Sequence, residues 1–202
     1  VVSADDPGMA SSQNEQDNRR YAVAAGVPMF EPSDSQEAYA MTAAAFDIAE
    51  RWHIPVILRL TTRVCHAKTL VDTGRFTPGA PPETFVRDIP GRVMIPAYAK
   101  PAHRRLRAKL AEIAECAETC AWTRTVEGAG RVGVITSGVS YAHVREAIPD
   151  APVLKLGMTY PVPIEAARAF AQTVDECVVI EEGDPYLEET LRAAGIAVRG
   201  KD

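Results

Sequence analysis

Hydrophobic and polar residues alternate along the first part of the chain with two different periods. Between Ala38 and Trp52 apolar residues recur on one face at helical spacing, and Asp34 followed by Glu37 forms a capping-box pattern at the start of this helix. The other elements predicted here are a helix over residues 14–25 and strands over residues 27–30 and 54–60. Helices and strands that alternate with short connections favour an α/β fold with a parallel sheet.

The middle of the chain breaks this alternation. Residues 69–101 hold six prolines and three glycines and show no sustained periodicity, which predicts an ordered linker between two domains. Residues 102–122 then show helical spacing of apolar positions and predict one long helix.

The last part of the chain returns to alternating elements. Strands are predicted over residues 132–136, 153–156, 176–181 and 196–199, and helices over residues 141–147, 163–173 and 185–194. This order predicts a compact α/β sheet of about four strands. We therefore divide the chain into residues 1–68, a linker with a long helix over 69–123, and a second domain over 124–202.

The first residues predict that the first domain is incomplete. Val1 and Val2 run directly into a polar turn and read as the end of a buried strand whose beginning is missing. A truncated sheet exposes an unpaired edge. We therefore expect residues 1–66 to be less stable than residues 124–202, and we expect self-association through the first domain.

Composition narrows the classes of function. The chain has 22 basic and 27 acidic residues, a net charge of −5 and no long block of like charge, which argues against nucleic-acid binding. Its longest apolar runs have the length of strands, far below the ~18 residues of a membrane span, so a soluble protein is predicted.

The four cysteines are Cys65, Cys116, Cys120 and Cys177, and only Cys116 and Cys120 are close in sequence. Their spacing differs from the two-residue gap that is common in metal sites, so ordinary reduced thiols are favoured over a metal or redox role. No residue is assigned as a metal ligand. Reduced thiols indicate a cytoplasmic protein.

The densest polar segment follows the first strand. Residues 5–20 combine carboxylates, hydroxyls, amides and guanidinium groups, and loops at the carboxyl ends of parallel strands are where open α/β folds place their ligands. A solvated loop with Ser11, Ser12 or Asn14 as a helix cap is the alternative. The variety of groups favours specific hydrogen-bond recognition.

This segment also carries a resemblance to a known family. Residues 5–17 read D-D-P-G-M-A-S-S-Q-N-E-Q-D and resemble the pyrimidine-binding half of the thiamine diphosphate site in alpha subunits of indolepyruvate:ferredoxin oxidoreductases, members of the 2-oxoacid:ferredoxin oxidoreductase family. The resemblance continues in residues 31–38, 58–64, 134–139 and 154–161, which read E-P-S-D-S-Q-E-A, L-R-L-T-T-R-V, V-I-T-S-G-V and L-K-L-G-M-T-Y-P. It covers most of the chain and is weakest in the linker.

The resemblance implies a division of labour within a longer protein. Residues 1–68 would be the C-terminal part of a pyrimidine-binding domain, and residues 124–202 would be similar to the transketolase C-terminal domain. The chain has no G-D-G…N motif for Mg²⁺ and diphosphate and no cysteine runs for [4Fe–4S] clusters. Thiamine diphosphate, Mg²⁺ and the clusters would therefore belong to the parent protein, and this chain alone would be catalytically incomplete, with no catalytic residue assigned to it.

The resemblance also implies partners and an activity. The partners would be the remaining domains of the alpha subunit, a beta subunit and ferredoxin, in a homo-oligomeric assembly. The parent would decarboxylate a 2-oxoacid oxidatively to an acyl-CoA and reduce ferredoxin. A non-catalytic assembly or dimerisation module of such an enzyme is the competing hypothesis.

Candidate site residues follow from the loop and from the end of the third strand. Ser12, Gln13, Asn14, Glu15 and Asp17 are the predicted cofactor-binding residues. Arg63 and His66 are the predicted substrate-binding residues, because an arginine at the carboxyl end of a strand can bind a substrate carboxylate through two hydrogen bonds. The alternatives are an interface ion pair for Arg63 and a surface histidine for His66.

Two segments of the second domain give weaker signals. Thr136, Ser137 and Gly138 lie between a strand and a helix, where backbone N–H groups can bind an anion, although a plain helix cap is favoured. Residues 181–185 are acidic and would repel phosphate, so they predict a helix N-terminal cap or an interface element.

Overall fold

The structure, a computed structural model, describes residues 1–74 and 84–201. The strands are β1 (Val2–Asp5), β2 (Met29–Phe30), β3 (Ile57–Thr61), β4 (Arg124–Val126), β5 (Val132–Ser137), β6 (Val153–Leu156), β7 (Met158–Tyr160) and β8 (Glu176–Ile180). The helices are α1 (Arg19–Ala25), α2 (Ser35–Trp52), α3 (Thr62–His66), α4 (Ile89–Arg92), α5 (Pro96–Glu118), α6 (Ser140–Ala147), α7 (Ile164–Ala171) and α8 (Tyr186–Ala193), and a short 3₁₀ turn spans Pro7–Met9.

The strands form two four-stranded sheets, with the orders β1-β3-β2-β7 and β4-β6-β5-β8. In the first sheet β1 and β2 run parallel to β3, and β7 pairs antiparallel with β2. In the second sheet β5, β6 and β8 are parallel and β4 is an antiparallel edge strand. The predicted strand over 196–199 is reduced to a single bridge between Arg199 and Val178.

Helix α2 begins as the capping pattern predicts. The Asp34 carboxylate accepts a hydrogen bond from the Glu37 N–H at 2.8 Å. The Glu37 side chain does not return to the Asp34 N–H, as in a standard capping box, but accepts from the backbone and hydroxyl of Ser33 at 2.8 and 2.7 Å. The start of α2 is therefore fixed by both Asp34 and Ser33.

Strand β7 was not predicted, and it joins the two sheets. The chain leaves the second sheet at Leu156, passes Gly157 and enters the first sheet at Met158. A Cβ atom on Gly157 would lie 2.5 Å from the Trp122 Cβ, so only glycine fits this crossing. The division of the chain at residue 124 remains a prediction, but the hydrogen bonds of β7 tie residues 158–160 to the first sheet.

The predicted start of the long helix was wrong. Helix α5 begins at Pro96, six residues earlier than predicted, and it contains Pro101. A proline at the first helical position costs nothing, because its missing N–H would have no partner there. Pro101 removes one hydrogen bond from a helix of 23 residues, and the rest of the helix continues through it. The predicted linker residues 75–83 lie outside the described residues.

Candidate functional site

Residues 6–18, which connect β1 to α1, are here called the polar loop. The polar loop and α3 start at the same edge of the first sheet. Asp5 and Thr61, the last residues of β1 and β3, are paired in register, so both following segments leave the carboxyl ends of parallel strands. The Asp6 carboxylate accepts hydrogen bonds from the N–H groups of Ser11 and Ser12 at 2.8 and 2.5 Å and from the Thr62 hydroxyl at 2.5 Å. These bonds, the one from Thr62 first, lower the pKa of Asp6 to about 2. Asp6 thereby holds the beginning of the loop against α3.

Four of the predicted cofactor-binding residues lie on the exposed part of this loop. Ser12, Gln13, Asn14 and Glu15 are all exposed, and the Ser12 hydroxyl donates to the Asn14 carbonyl at 2.7 Å. The predicted helix over 14–25 starts only at Arg19, because the residues before it use side-chain hydrogen bonds in a loop conformation. Cofactor contact by these four residues stays a prediction.

The two predicted substrate-binding residues, Arg63 and His66, lie exposed on α3 beside the loop. The structure thus brings the two predicted groups of site residues to one edge of the sheet. It does not test their binding of a substrate.

Asp17 has a different environment from the other loop residues. It is buried and belongs to a set of charged side chains that we call the ionic cluster, which consists of Asp5, Asp17, Arg19, Glu31, Arg59 and Glu181. Asp17 accepts hydrogen bonds from the Arg19 Nε at 2.8 Å and from the Asp184 N–H at 3.0 Å. Burial would raise the pKa of Asp17, but the hydrogen bond and charge of Arg19 hold it below its ordinary value.

Arg59 forms the half of the ionic cluster that lies within the first sheet. It stands in β3 with a side-chain exposure of 0%. Its Nε donates to Asp5 at 2.7 Å and its Nη1 donates to Glu31 at 2.5 Å. Asp5 also accepts from the Asn18 N–H at 3.0 Å, so the same carboxylate reaches the end of the polar loop.

Arg19 forms the half of the cluster that reaches the second sheet. Its Nη1 donates to Glu181 at 2.5 Å, and its Nη2 donates to the carbonyl groups of Glu182 and Asp184 at 2.7 and 3.0 Å. Glu181 also accepts from the N–H groups of Leu187 and Glu188 at 2.9 and 3.1 Å. The predicted N-terminal cap in residues 181–185 is therefore confirmed, and it is also a contact between the two sheets.

The ionic cluster contains four carboxylates and two guanidinium groups, so its formal charge is negative. Burial raises the pKa of Glu181, and Arg19 offsets this only in part. Gly138 packs against the Glu31 carboxylate: its φ is +54°, and a Cβ there would lie 2.6 Å from the Glu31 oxygen. This negative surrounding makes the segment around Gly138 unsuitable for an anion.

A second buried ion pair joins the sheets at another place. Lys155 of β6 donates to the Glu37 carboxylate at the start of α2, and Arg124 approaches the other Glu37 oxygen at 3.3 Å. Lys155 is buried, so this pair is a second buried charged contact across the same boundary.

Sequence reasoning missed the roles of Asp6, Arg19, Arg59, Glu31 and Glu181. One signal was available: Arg59 interrupts the apolar run from Ile57 to Leu60, and a charge within a buried strand requires a buried partner. The identity of that partner was not available, because Asp5 and Glu31, which accept from Arg59, are distant from it in sequence.

Three further properties of the part of the chain that the structure describes are its capacity for metal sites, the hydropathy of its helices and the environment of its cysteines. No group of three or more His, Cys, Asp and Glu side chains there is arranged to hold a metal ion. No described helix combines the length and the hydropathy of a membrane span. Cys116 and Cys120 pack against the core of the first sheet, Cys177 is buried and Cys65 is exposed.

Comparison with known proteins gives a consistent result. The chain is 42% identical over 205 residues to the indolepyruvate oxidoreductase subunit IorA of Methanothermobacter thermautotrophicus, covering 98% of the chain and 33% of that protein. It is 39% identical to the subunit of the same name from Archaeoglobus fulgidus and 37% identical to that of Thermococcus kodakarensis, in both cases over 100% of the chain. The chain is therefore similar along its whole length to IorA subunits. The resemblance stated from the motifs is thereby confirmed.

The chain spans about a third of the length of these relatives. No family model matches it. Among solved structures it is similar to a 2-oxoglutarate:ferredoxin oxidoreductase from Magnetococcus marinus with 2-oxoglutarate, coenzyme A and succinyl-CoA bound, with a TM-score of 0.71, 19% identity and coverage of 100% of the chain and 44% of that protein. At this identity the match concerns the fold, and it confirms the predicted α/β class.

Proposed function

We propose that the chain is the part of a thiamine-diphosphate-dependent indolepyruvate:ferredoxin oxidoreductase that supplies a cofactor-binding loop and a supporting domain. The parent enzyme would decarboxylate an arylpyruvate oxidatively to an acyl-CoA and reduce ferredoxin. The observation that carries the proposal is similarity to IorA subunits along 98% or more of this chain, together with a polar loop at the carboxyl ends of two parallel strands. Residues 1–68 would be the C-terminal part of the pyrimidine-binding domain, and residues 124–202 the transketolase C-terminal-like domain.

The loop is chemically suited to a heteroaromatic cofactor. Its exposed residues offer hydroxyl, amide and carboxylate groups that match the ring nitrogens and amino group of a pyrimidine, and Asp6 fixes its first residues. Thiamine diphosphate, when bound, supplies the carbanion chemistry that releases CO₂ from a 2-oxoacid. Ser12, Gln13, Asn14 and Glu15 would orient the cofactor by hydrogen bonds. The buried Asp17 would hold the end of the loop through its bonds to Arg19 and Asp184.

Arg63 and His66 would act on the substrate. A guanidinium group beside the loop can bind the carboxylate of a 2-oxoacid through two parallel hydrogen bonds and hold its keto carbon in place. The exposure of both side chains on α3 leaves their polar atoms accessible to a substrate.

The remaining components would come from outside this chain. Mg²⁺, the diphosphate-binding residues and the [4Fe–4S] clusters would belong to other domains of the alpha subunit, and a beta subunit and ferredoxin would complete a cytoplasmic, homo-oligomeric assembly.

Calorimetry of the intact enzyme with thiamine diphosphate, followed by an assay of coenzyme-A-dependent ferredoxin reduction with indolepyruvate, tests the proposal. An enzyme in which this chain contributes only to dimerisation, with cofactor affinity unchanged by substitutions in residues 12–15, would support the assembly module instead.

Replacement of Arg63 tests the substrate contact. In the intact enzyme Arg63→Ala should lower kcat/KM for the 2-oxoacid about 10- to 150-fold, because it removes a charge-assisted contact worth about 1.5 to 3 kcal/mol. Steady-state kinetics with varied 2-oxoacid measures the effect, and Arg63→Lys should recover part of it by restoring the charge.

Arg131→Ala is the matched control. Arg131 is an exposed arginine directly before β5, away from the loop, and it pairs with Asp175. This substitution should leave the kinetics unchanged. If Arg63→Ala lowers only the melting temperature and leaves kcat/KM intact, Arg63 belongs to an interface and the substrate role is wrong.

A further inference from the structure

The far end of the polar loop is held by the second sheet. Residues 6–12 are anchored to the first sheet through Asp6, whereas Asp17 is anchored to the turn after β8. Asp17 and Arg19 together make contacts with Glu181, Glu182 and Asp184. The exposed residues 12–15 lie between these two anchors.

Glu181 is the centre of the second anchor. Its side-chain exposure is 1%, and one of its oxygens accepts both from Arg19 at 2.5 Å and from the Leu187 N–H at 2.9 Å. Its other oxygen accepts from the Glu188 N–H at 3.1 Å. A single carboxylate therefore fixes the start of α8 and the guanidinium that holds Asp17, so α8 and the loop end cannot shift independently.

We propose that Glu181 is a positioning residue for the cofactor loop and acts through Arg19 and Asp17, without touching the cofactor. This inference rests on the proposed function for its effect on the cofactor, but not for its effect on the loop. It gives residues 124–202 a role in the site that is distinct from the assembly role considered above.

The polar loop must be ordered to orient a ligand. Four of its exposed residues must be fixed for their hydrogen bonds to orient a ligand, and each unfixed residue would lose backbone entropy on binding. Arg19 is fully buried, and loss of the Glu181 charge would remove the ion pair that fixes its Nη1, so the guanidinium group that holds Asp17 would be less firmly oriented. A looser loop end then weakens ligand binding without removing any ligand contact.

Glu181→Gln tests this inference, because glutamine keeps the size and an acceptor for the start of α8 but loses the charge opposite Arg19. In the intact enzyme we expect the Kd for thiamine diphosphate to rise about tenfold. In the same protein without cofactor we expect faster amide exchange in residues 11–17. Glu181→Asp keeps the charge with a shorter reach, and it should recover part of both effects.

Lys155→Met is the matched control, since it breaks the other buried ion pair between the sheets without touching the loop. It should lower the melting temperature while leaving the Kd and the loop exchange as in the parent. If Glu181→Gln and Lys155→Met change these two quantities equally, or if neither changes them, Glu181 has only a structural role and the inference is wrong. If the parent does not bind thiamine diphosphate, the proposed function fails, and loop exchange alone decides the role of Glu181.

Discussion

The second sheet is covered by residues from its own part of the chain, whereas the first sheet takes part of its core from elsewhere. The two core clusters on the second sheet contain only residues from positions 126 to 198. The cluster on the first sheet includes Ile113 and Ala117 of α5 and Met158 of β7. The first sheet thus depends on segments that lie far away in sequence.

The β1 edge of the first sheet also carries exposed apolar side chains. Val2 of the edge strand β1 and the preceding Val1 are 66% and 76% exposed, and Phe46 of α2 is 69% exposed. Exposed apolar side chains beside the unpaired edge of a strand favour association with another chain segment. The proposed cofactor loop therefore belongs to the sheet that takes part of its core from distant segments, so the order of the loop depends on contacts with the other sheet.

Loss of the central charge in the first sheet should give the largest effect. Arg59→Met would leave Asp5 and Glu31 buried without their shared partner, and removal of one member of a buried ion pair costs about 3 to 5 kcal/mol. Urea denaturation at neutral pH, followed by far-UV circular dichroism, measures the change in the free energy of unfolding.

The control for this substitution replaces an exposed arginine next to the second sheet. The Arg131 side chain is 86% exposed and pairs with Asp175, so Arg131→Met should cost only about 0 to 1 kcal/mol. Equal losses for Arg59→Met and Arg131→Met would mean that the ionic cluster contributes nothing special to the first sheet.

Two core substitutions test whether the first sheet depends on the second. Leu187 and Met41 are both 0% exposed, and each change to alanine should cost about 2 to 5 kcal/mol. Leu187→Ala should accelerate amide exchange in both sheets, because the first sheet needs β7 and Glu181 in place. Met41→Ala should accelerate exchange in β3 and leave β5 protected.

Hydrogen exchange read by mass spectrometry, with peptides covering Leu58 and Val134, separates these outcomes. This sharpens the expectation that residues 1–66 are less stable than residues 124–202. Uniform protection in both variants, in a strictly monomeric sample, would contradict the dependence.

Sequence patterns predicted the elements whose formation depends on residues close together in the chain. Helix α2 has regular apolar spacing and a cap at Asp34, and β6, which is apolar except for Lys155, has both ends as predicted, so their sequences alone indicated them. The position of the polar loop followed from the order of strands. The family resemblance was available because long polar motifs are specific.

Non-local features were not available from the sequence. Strand β7 is three residues long and is defined by pairing with β2, which lies more than a hundred residues earlier. Helix α1 was predicted five residues too long, because Asp5 and Asp17 hold residues before Arg19 in a loop, and their partners were unknown. The ionic cluster had one visible sign, Arg59, but its carboxylates come from four separate segments.

The smallest expected effect concerns the first anchor of the polar loop. The pKa of Asp6 is lowered from 3.8 to about 2, first by the Thr62 hydroxyl and then by the Ser11 N–H. A carboxyl group whose pKa is lowered by folding contributes order that is present above its ordinary pKa and is lost as the pH falls through the lowered value. The amide signals of Ser11 and Ser12 should therefore shift with a midpoint near pH 2 in an NMR titration, while Asp6→Asn should abolish the transition and speed exchange in residues 11–16. A midpoint close to 3.8 would show that Asp6 does not hold the loop, and the second sheet would then be its main support.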